Sequence, residues 1–236
     1  LAPLDPAIGA DPTPDPVAFF PFDNNLDDYA GGARLDFIGG CDLFDPVFGA
    51  DRDNLADSAL DIEVNNDCSS DSSGTNAGLE SDEDYDFDDS FSIAFWLYLD
   101  SGQSEDWYLA GAEDVLSIRM EIDSGSDEYN LAYYEAGNRV LLDPVDRDTM
   151  EWAHVTLVVD SGTVRIYVDG ADVASTSRSA PSVVQPLLAL NAVAGESESG
   201  SFGKNGRGRF DDLSFFDEAL TDVQVLDVYT TSSTLP

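Results

Sequence analysis

Positive charge is almost missing from this sequence. Only ten of its 236 residues are Lys or Arg, just one of those is a lysine (Lys204), and His154 is the sole histidine. Against them stand 48 acidic residues, for a net charge of −38. Such a surface repels phosphate backbones and anionic lipid, which excludes nucleic acid and membrane insertion as modes of action. Long apolar runs are missing too. The stretch from Ile93 to Leu99 is far short of the roughly 20 residues a membrane helix needs. Cysteine is scarce: Cys41 and Cys68 are too few for a disulfide scaffold, and their spacing fits no zinc pattern. Both lie in polar, loop-like stretches (GGCDLFD and NNDCSSDSSG). In an exported chain a bridge between them is expected, with two reduced thiols as the alternative.

What the chain does have is apolar residues at 42% and aromatics at 11%, enough for a real core. The acids are mostly Asp, 36 against 12 Glu. Self-repulsion on this scale destabilises a compact state at low salt, and either salty surroundings or bound divalent cations would relieve it. Excess Asp with scarce Lys resembles the proteins of halophilic organisms.

The first sixteen residues carry five prolines and three Asp, so residues 1–16 read as a linker or edge-hugging tail and 17–236 as one domain. From Val17 onward, short apolar runs alternate with Gly, Asp, Asn and Ser clusters, the pattern of many strands joined by turns. Strands are expected at Val17 to Phe22, Arg34 to Ile38, Ser58 to Val64, Phe91 to Leu99, Trp107 to Ala110, Val115 to Ile122 and Tyr129 to Glu135. Trp152 to Asp160 and Thr163 to Asp169, joined by Ser161-Gly162, form the clearest hairpin. Leu187 to Ala192 and Arg209 to Phe216 complete about a dozen strands. The Ser-, Asp- and Glu-rich stretch Asn66 to Asp89 reads as a long acidic loop. One short helix is expected near the end, where Thr221 and Gln224 have capping-box spacing and Val225, Val228 and Tyr229 follow at helical spacing. The fold class is therefore all-β: a two-sheet antiparallel β-sandwich (jelly roll) with a short C-terminal helix.

Four segments resemble the laminin-G-like jelly-roll domains of the concanavalin A-like lectin/glucanase superfamily. They are FFPFDNNLDD, FSIAFWLYLD, the hairpin WAHVTLVVDSGTVRIYVDG and the ending GRFDDLSFFDEALTDVQVLDVY, in that order along the chain. The stretches Cys41 to Asp57, Asn66 to Asp89 and Asn191 to Gly208 carry no family motif. The resemblance implies an extracellular binding module, secreted or at the cell surface, for a glycan or other cell-surface ligand, as part of a larger exported protein such as an adhesin. A structural or protein-interaction domain is the alternative, and a glycoside hydrolase is a third reading.

The family's calcium site joins the turn after the first strand to the Asp of the last one, which here implicates Asp23, Asn25, Asp28 and Asp211. Carboxylates converging there would repel one another without a cation between them. Calcium is thus the expected cofactor, with hard oxygen ligands that suit it. Glu121-Ile122-Asp123 begins a glucanase-like carboxylate strand, but the third acid should fall at Ser126, so no catalytic residue is expected. His154 is lone and reads as structural. Lys204, Arg207 and Arg209 form the densest basic cluster and read as an internal counter-charge. Trp96 and Trp152 are expected in the core. Trp107, which follows Ser104-Glu105-Asp106, is the best platform for a ligand, with Arg119 and Tyr134 nearby.

Overall fold

The computed structural model describes residues 12–38, 46–62, 78–85, 90–100, 107–112, 116–122, 128–135, 138–139, 147–148, 151–178, 187–190 and 208–232. Sixteen strands among them form two antiparallel sheets. The first runs in spatial order β14 (Ala171–Ser177), β13 (Thr163–Val168), β12 (Trp152–Asp160), β6 (Ser90–Leu99), β16 (Gly208–Phe216), β4 (Ala59–Asp61) and β3 (Phe48–Gly49). Strand β1 (Ala18–Phe20) pairs with the C-terminal half of β16. The second sheet runs β10 (Asn138–Arg139), β9 (Glu128–Glu135), β8 (Leu116–Ile122), β7 (Trp107–Ala112), β15 (Leu187–Leu190), β5 (Gly78–Asp84) and β2 (Leu35–Ile38). Strand β11 (Arg147–Asp148) pairs with β9. The all-β sandwich expected from the sequence is what forms.

One apolar cluster joins the facing sides of both sheets. Phe91, Phe95, Phe210 and Phe215 of the first sheet and Leu109, Ile118, Met120, Leu131 and Tyr133 of the second are all essentially inaccessible. Each such side chain contributes about 1.5–3 kcal/mol by leaving water. Strand β6 is buried on its outer side too. Ala94 joins Val158, Tyr167, Phe216, Leu220, Val225 and Val228 in a second cluster beneath helix α1 (Asp222–Thr231). That explains why its sequence lacks the alternation of a half-exposed strand. The capping box is present: Thr221 accepts from the Gln224 backbone N–H, and the Gln224 side chain reaches back to the Thr221 N–H.

Two expectations change. Part of the acidic stretch Asn66 to Asp89 is strand β5, paired with β2 on one side and β15 on the other. Of its described side chains, Leu79 and Ser81 turn inward, so two flanking backbone ladders compensate for a sequence of poor strand propensity. Beyond the expected hairpin, Asp169 and Gly170 both take positive φ (50° and 75°) and start a further strand, β14. In the proline-rich stretch, Thr13 donates to Asp227 at 2.6 Å and the Pro12 carbonyl accepts from Gln224 at 3.1 Å, which lays this segment against α1. Cys41 and Cys68 lie outside the described residues.

Candidate functional site

The period-2 alternation of β8 and β9 separates core residues from a polar outer row. Ile118, Met120, Leu131 and Tyr133 point inward. Arg119, Glu121 and Tyr134, all half-buried, lie on the other side. Ser117 pairs with Tyr134, Arg119 with Ala132, and Glu121 with Asn130. The register brings Arg119 diagonally onto Tyr134, and its guanidinium lies 3.9 Å from the ring centre. The Tyr134 hydroxyl donates to Glu121 at 2.5 Å. A cation, an aromatic face and a carboxylate are thus held side by side on a rigid sheet. Trp107 opens β7 opposite Met120, and its side chain lies outside what the structure describes. Asp123 and Ser126 also lie outside the described residues.

The other polar concentration is buried, on the outer side of the first sheet. Trp152 pairs with Tyr98 and Tyr98 with Arg209 in one cross-strand row. Their rings are 5.5 Å apart, and Arg209 sits 4.2 Å from the Tyr98 ring. Trp152 is therefore half-buried on the outer surface and does not join the core. Lys204 and Arg207 are outside the described residues. In the next row His154 pairs with Trp96 and Trp96 with Asp211. Trp96 is buried there beneath the end of α1, with Tyr229 5.6 Å away and its indole N–H donating to Ser232.

Strand β16 breaks alternation inside that row. Between Asp211 and Ser214 it advances three residues while β6 advances two, and Asp212 takes a φ of 48°. This is a β-bulge, which re-aims a side chain. Its result is that Asp211 and Asp212 both reach Arg52: Nη1 pairs with Asp211, and Nη2 with Asp212 at 2.7 Å. Nη2 also donates to the Ser232 carbonyl, and the guanidinium lies 4.8 Å from the Trp96 ring centre. Arg52 Nε is buried and has no hydrogen-bond partner among the described residues. Burial pushes the Asp211 carboxyl up from its ordinary value, with Asp212 adding to the shift and Arg52 opposing it. Burial likewise raises Asp212 against the pull of Arg52. His154, at 1% exposure, is held down at about 3 by burial first and by Arg52 second, so it stays neutral.

The four residues expected to hold calcium are arranged differently from a cation cage. Asp28 is buried and accepts three backbone N–H groups, from Phe19, Ala30 and Gly31, at 2.8–2.9 Å. Asn25 is spent on its own turn: its amide donates to the Asp23 carbonyl and the Tyr29 hydroxyl, and its oxygen accepts from the Asp27 N–H. Asp23 is exposed, and Asp211 is the one paired with Arg52. Among the described residues no group of three or more His, Cys, Asp or Glu is disposed to hold a metal ion. The donor set does not fit calcium as it stands, because a guanidinium already neutralises its central acid. Arg52 was not legible as a site residue, since ADRDNLAD reads as one more acidic loop.

Comparison with known proteins agrees with this architecture. A family model described as the concanavalin A-like lectin/glucanases superfamily matches residues 71–226. No curated protein matches the sequence. Among solved structures, domain 4 of AbnA, a GH43 extracellular arabinanase from Geobacillus stearothermophilus in complex with arabinotriose, superposes with a TM-score of 0.56 at 17% identity. That match covers 91% of this chain and 98% of the other. The receptor binding domain of botulinum neurotoxin mosaic serotype C/D gives 0.61 at 11% identity, and the binding domain of botulinum neurotoxin DC in complex with SialylT gives 0.59 at 11%. Each covers 91% of this chain, which spans only half the length of the neurotoxin domains. At these identities the likeness is one of fold. No helix among the described residues is long and apolar enough to cross a membrane.

Proposed function

Because the chain belongs to the concanavalin A-like lectin/glucanases superfamily, we propose that it is an exported, non-catalytic module that binds an oligosaccharide on the outer face of its second sheet. The observation that carries this reading is the Arg119–Tyr134–Glu121 constellation. Sugars present an apolar face that stacks on aromatics and vicinal hydroxyls that take paired donors and acceptors. The Tyr134 ring face opposite the guanidinium supplies the first requirement, Arg119 and Glu121 the second. Mutual contact holds all three in place before a ligand arrives, which lowers the entropic cost of binding. Two fold neighbours were solved with arabinotriose and with SialylT, which favours a glycan over a peptide as the first ligand class to try.

Hydrolysis is not part of the proposal. A retaining glycosidase needs a second carboxyl about 5 Å from the first. The strand begun by Glu121-Ile122-Asp123 has Ser126 where its third acid should fall, and the cross-strand partner of Glu121 is Asn130. A glycan array read in molar monovalent salt tests the proposal, followed by calorimetry on the best hit. Arg119→Ala and Tyr134→Ala should each weaken binding at least about tenfold, one such factor being about 1.4 kcal/mol, with thermal unfolding little changed. No bound glycan, or affinity indifferent to both substitutions, would overturn it.

A further inference from the structure

We propose that Arg52 is an internal substitute for a bound cation, so that the protein joins its β3–β4 loop, its last strand and its C-terminal helix without a divalent metal. Four observations converge on it. The bulge at Asp212 places two carboxylates on one side of β16, where regular pleating would have separated them. Both are buried, Asp211 at 3% and Asp212 at 9% exposure, so neither gains much from solvent. The guanidinium reaches both at once with separate nitrogens, a fork that one lysine could not reproduce. It also holds the Ser232 carbonyl just past α1 and lies over Trp96, so one side chain fixes three segments distant in sequence.

This arrangement accounts for the failed fit to calcium. A cation at Asp211 would have to displace Arg52 and leave its charge buried beside Trp96, an unfavourable exchange. Asp51 bears electrostatically on both buried acids and Asp23 on Asp212, so the pocket is acid-rich even with the arginine present. Without Arg52 the same oxygens would face one another with no counter-charge, the condition under which a hard divalent cation binds.

The test compares thermal unfolding of the whole chain in EDTA and in calcium, at fixed molar ionic strength so that general screening is constant. The wild-type midpoint should be the same in both, and purified protein should carry less than stoichiometric calcium by elemental analysis. Arg52→Gln should unfold at a lower midpoint in EDTA and recover part of the loss in calcium. If Arg52→Gln fails to fold without metal, refolding it with and without calcium reads the same dependence. Arg52→Lys, which keeps the charge but not the fork, should fall between the two. A wild-type midpoint that drops in EDTA, or calcium retained at one per chain, overturns the inference. So does an Arg52→Gln protein as stable as wild type and indifferent to calcium. None of these outcomes depends on whether a glycan binds the opposite sheet.

Discussion

The Trp96 indole N–H donates to the Ser232 hydroxyl at 3.0 Å, joining the middle of β6 to the residue that closes α1. The bond is buried, and the ring beneath it also carries Arg52 and packs edge-on against His154 at 5.1 Å. Trp96→Phe should cost about 1–2 kcal/mol, from the lost hydrogen bond and a partly refilled space. Amide exchange at Val228 to Ser232 should quicken more than exchange in the β12–β13 hairpin. Equal acceleration in both places would mean the contact does not tie down the helix end.

His154 gives the fold a defined acid sensitivity. Its folded value, near 3, lies below the ordinary 6.5 because the charged form is buried beside Arg52. A depressed value means that the unfolded chain takes up the proton first. The contribution is therefore full above pH 6.5 and is lost as pH falls toward 3, at about 1.4 kcal/mol per unit. Denaturant titrations of wild type and His154→Phe at pH 7.5 and 4.5 isolate it, since the carboxylates are common to both proteins. Wild type should lose about 2–3 kcal/mol more than the variant over that interval. Parallel losses would show that His154 accepts a proton without cost.

Thr221→Ala removes the acceptor at the start of α1 and one half of a reciprocal pair. About 1 kcal/mol of stability should go with it. Thr221→Ser should restore most of the loss. A silent Thr221→Ala would place the start of the helix under the control of the apolar cluster beneath it alone.

The unfolding midpoint should climb between low and molar monovalent salt, because a net charge of −38 makes repulsion the dominant long-range force. Each kcal/mol recovered is worth about 2–4 °C in a chain of this size. Exposed pairs such as Arg34–Asp36, 3.6 Å apart, add too little to reverse the trend. A flat or falling midpoint would contradict this.

How far the sequence could be read depended on how strongly each segment's residues constrain its backbone. β6, β12, β13 and the capped helix were legible because apolar spacing and cap chemistry there agree with the backbone. β14 and β5 were not, since ADVASTS and GLESDED give the core little beyond Ala174 and Leu79 and hold their places mainly by pairing. The turn Asp169-Gly170 did carry a signal for β14, as two successive positive-φ positions favour that dipeptide. Arg119 and Tyr134 could be placed on neighbouring strands, but their contact depends on a register that no local pattern sets. Arg52 was hidden for a similar reason: it lies 159 positions from Asp211.

The irregularity in β16 behaves like a frameshift within the pleat. Before it Phe210 faces the core, and after it Leu213 and Phe215 do, while Asp211 and Ser214 face away. Excising one of the two adjacent residues Asp211 and Asp212 would leave Phe210, Leu213, Ser214 and Phe215 facing as they now do, in a strand with no bulge. As far as the sheet is concerned, Asp212 is a supernumerary residue. Its left-handed backbone contributes nothing to the ladder, and what it adds is the second arm of the clasp on Arg52.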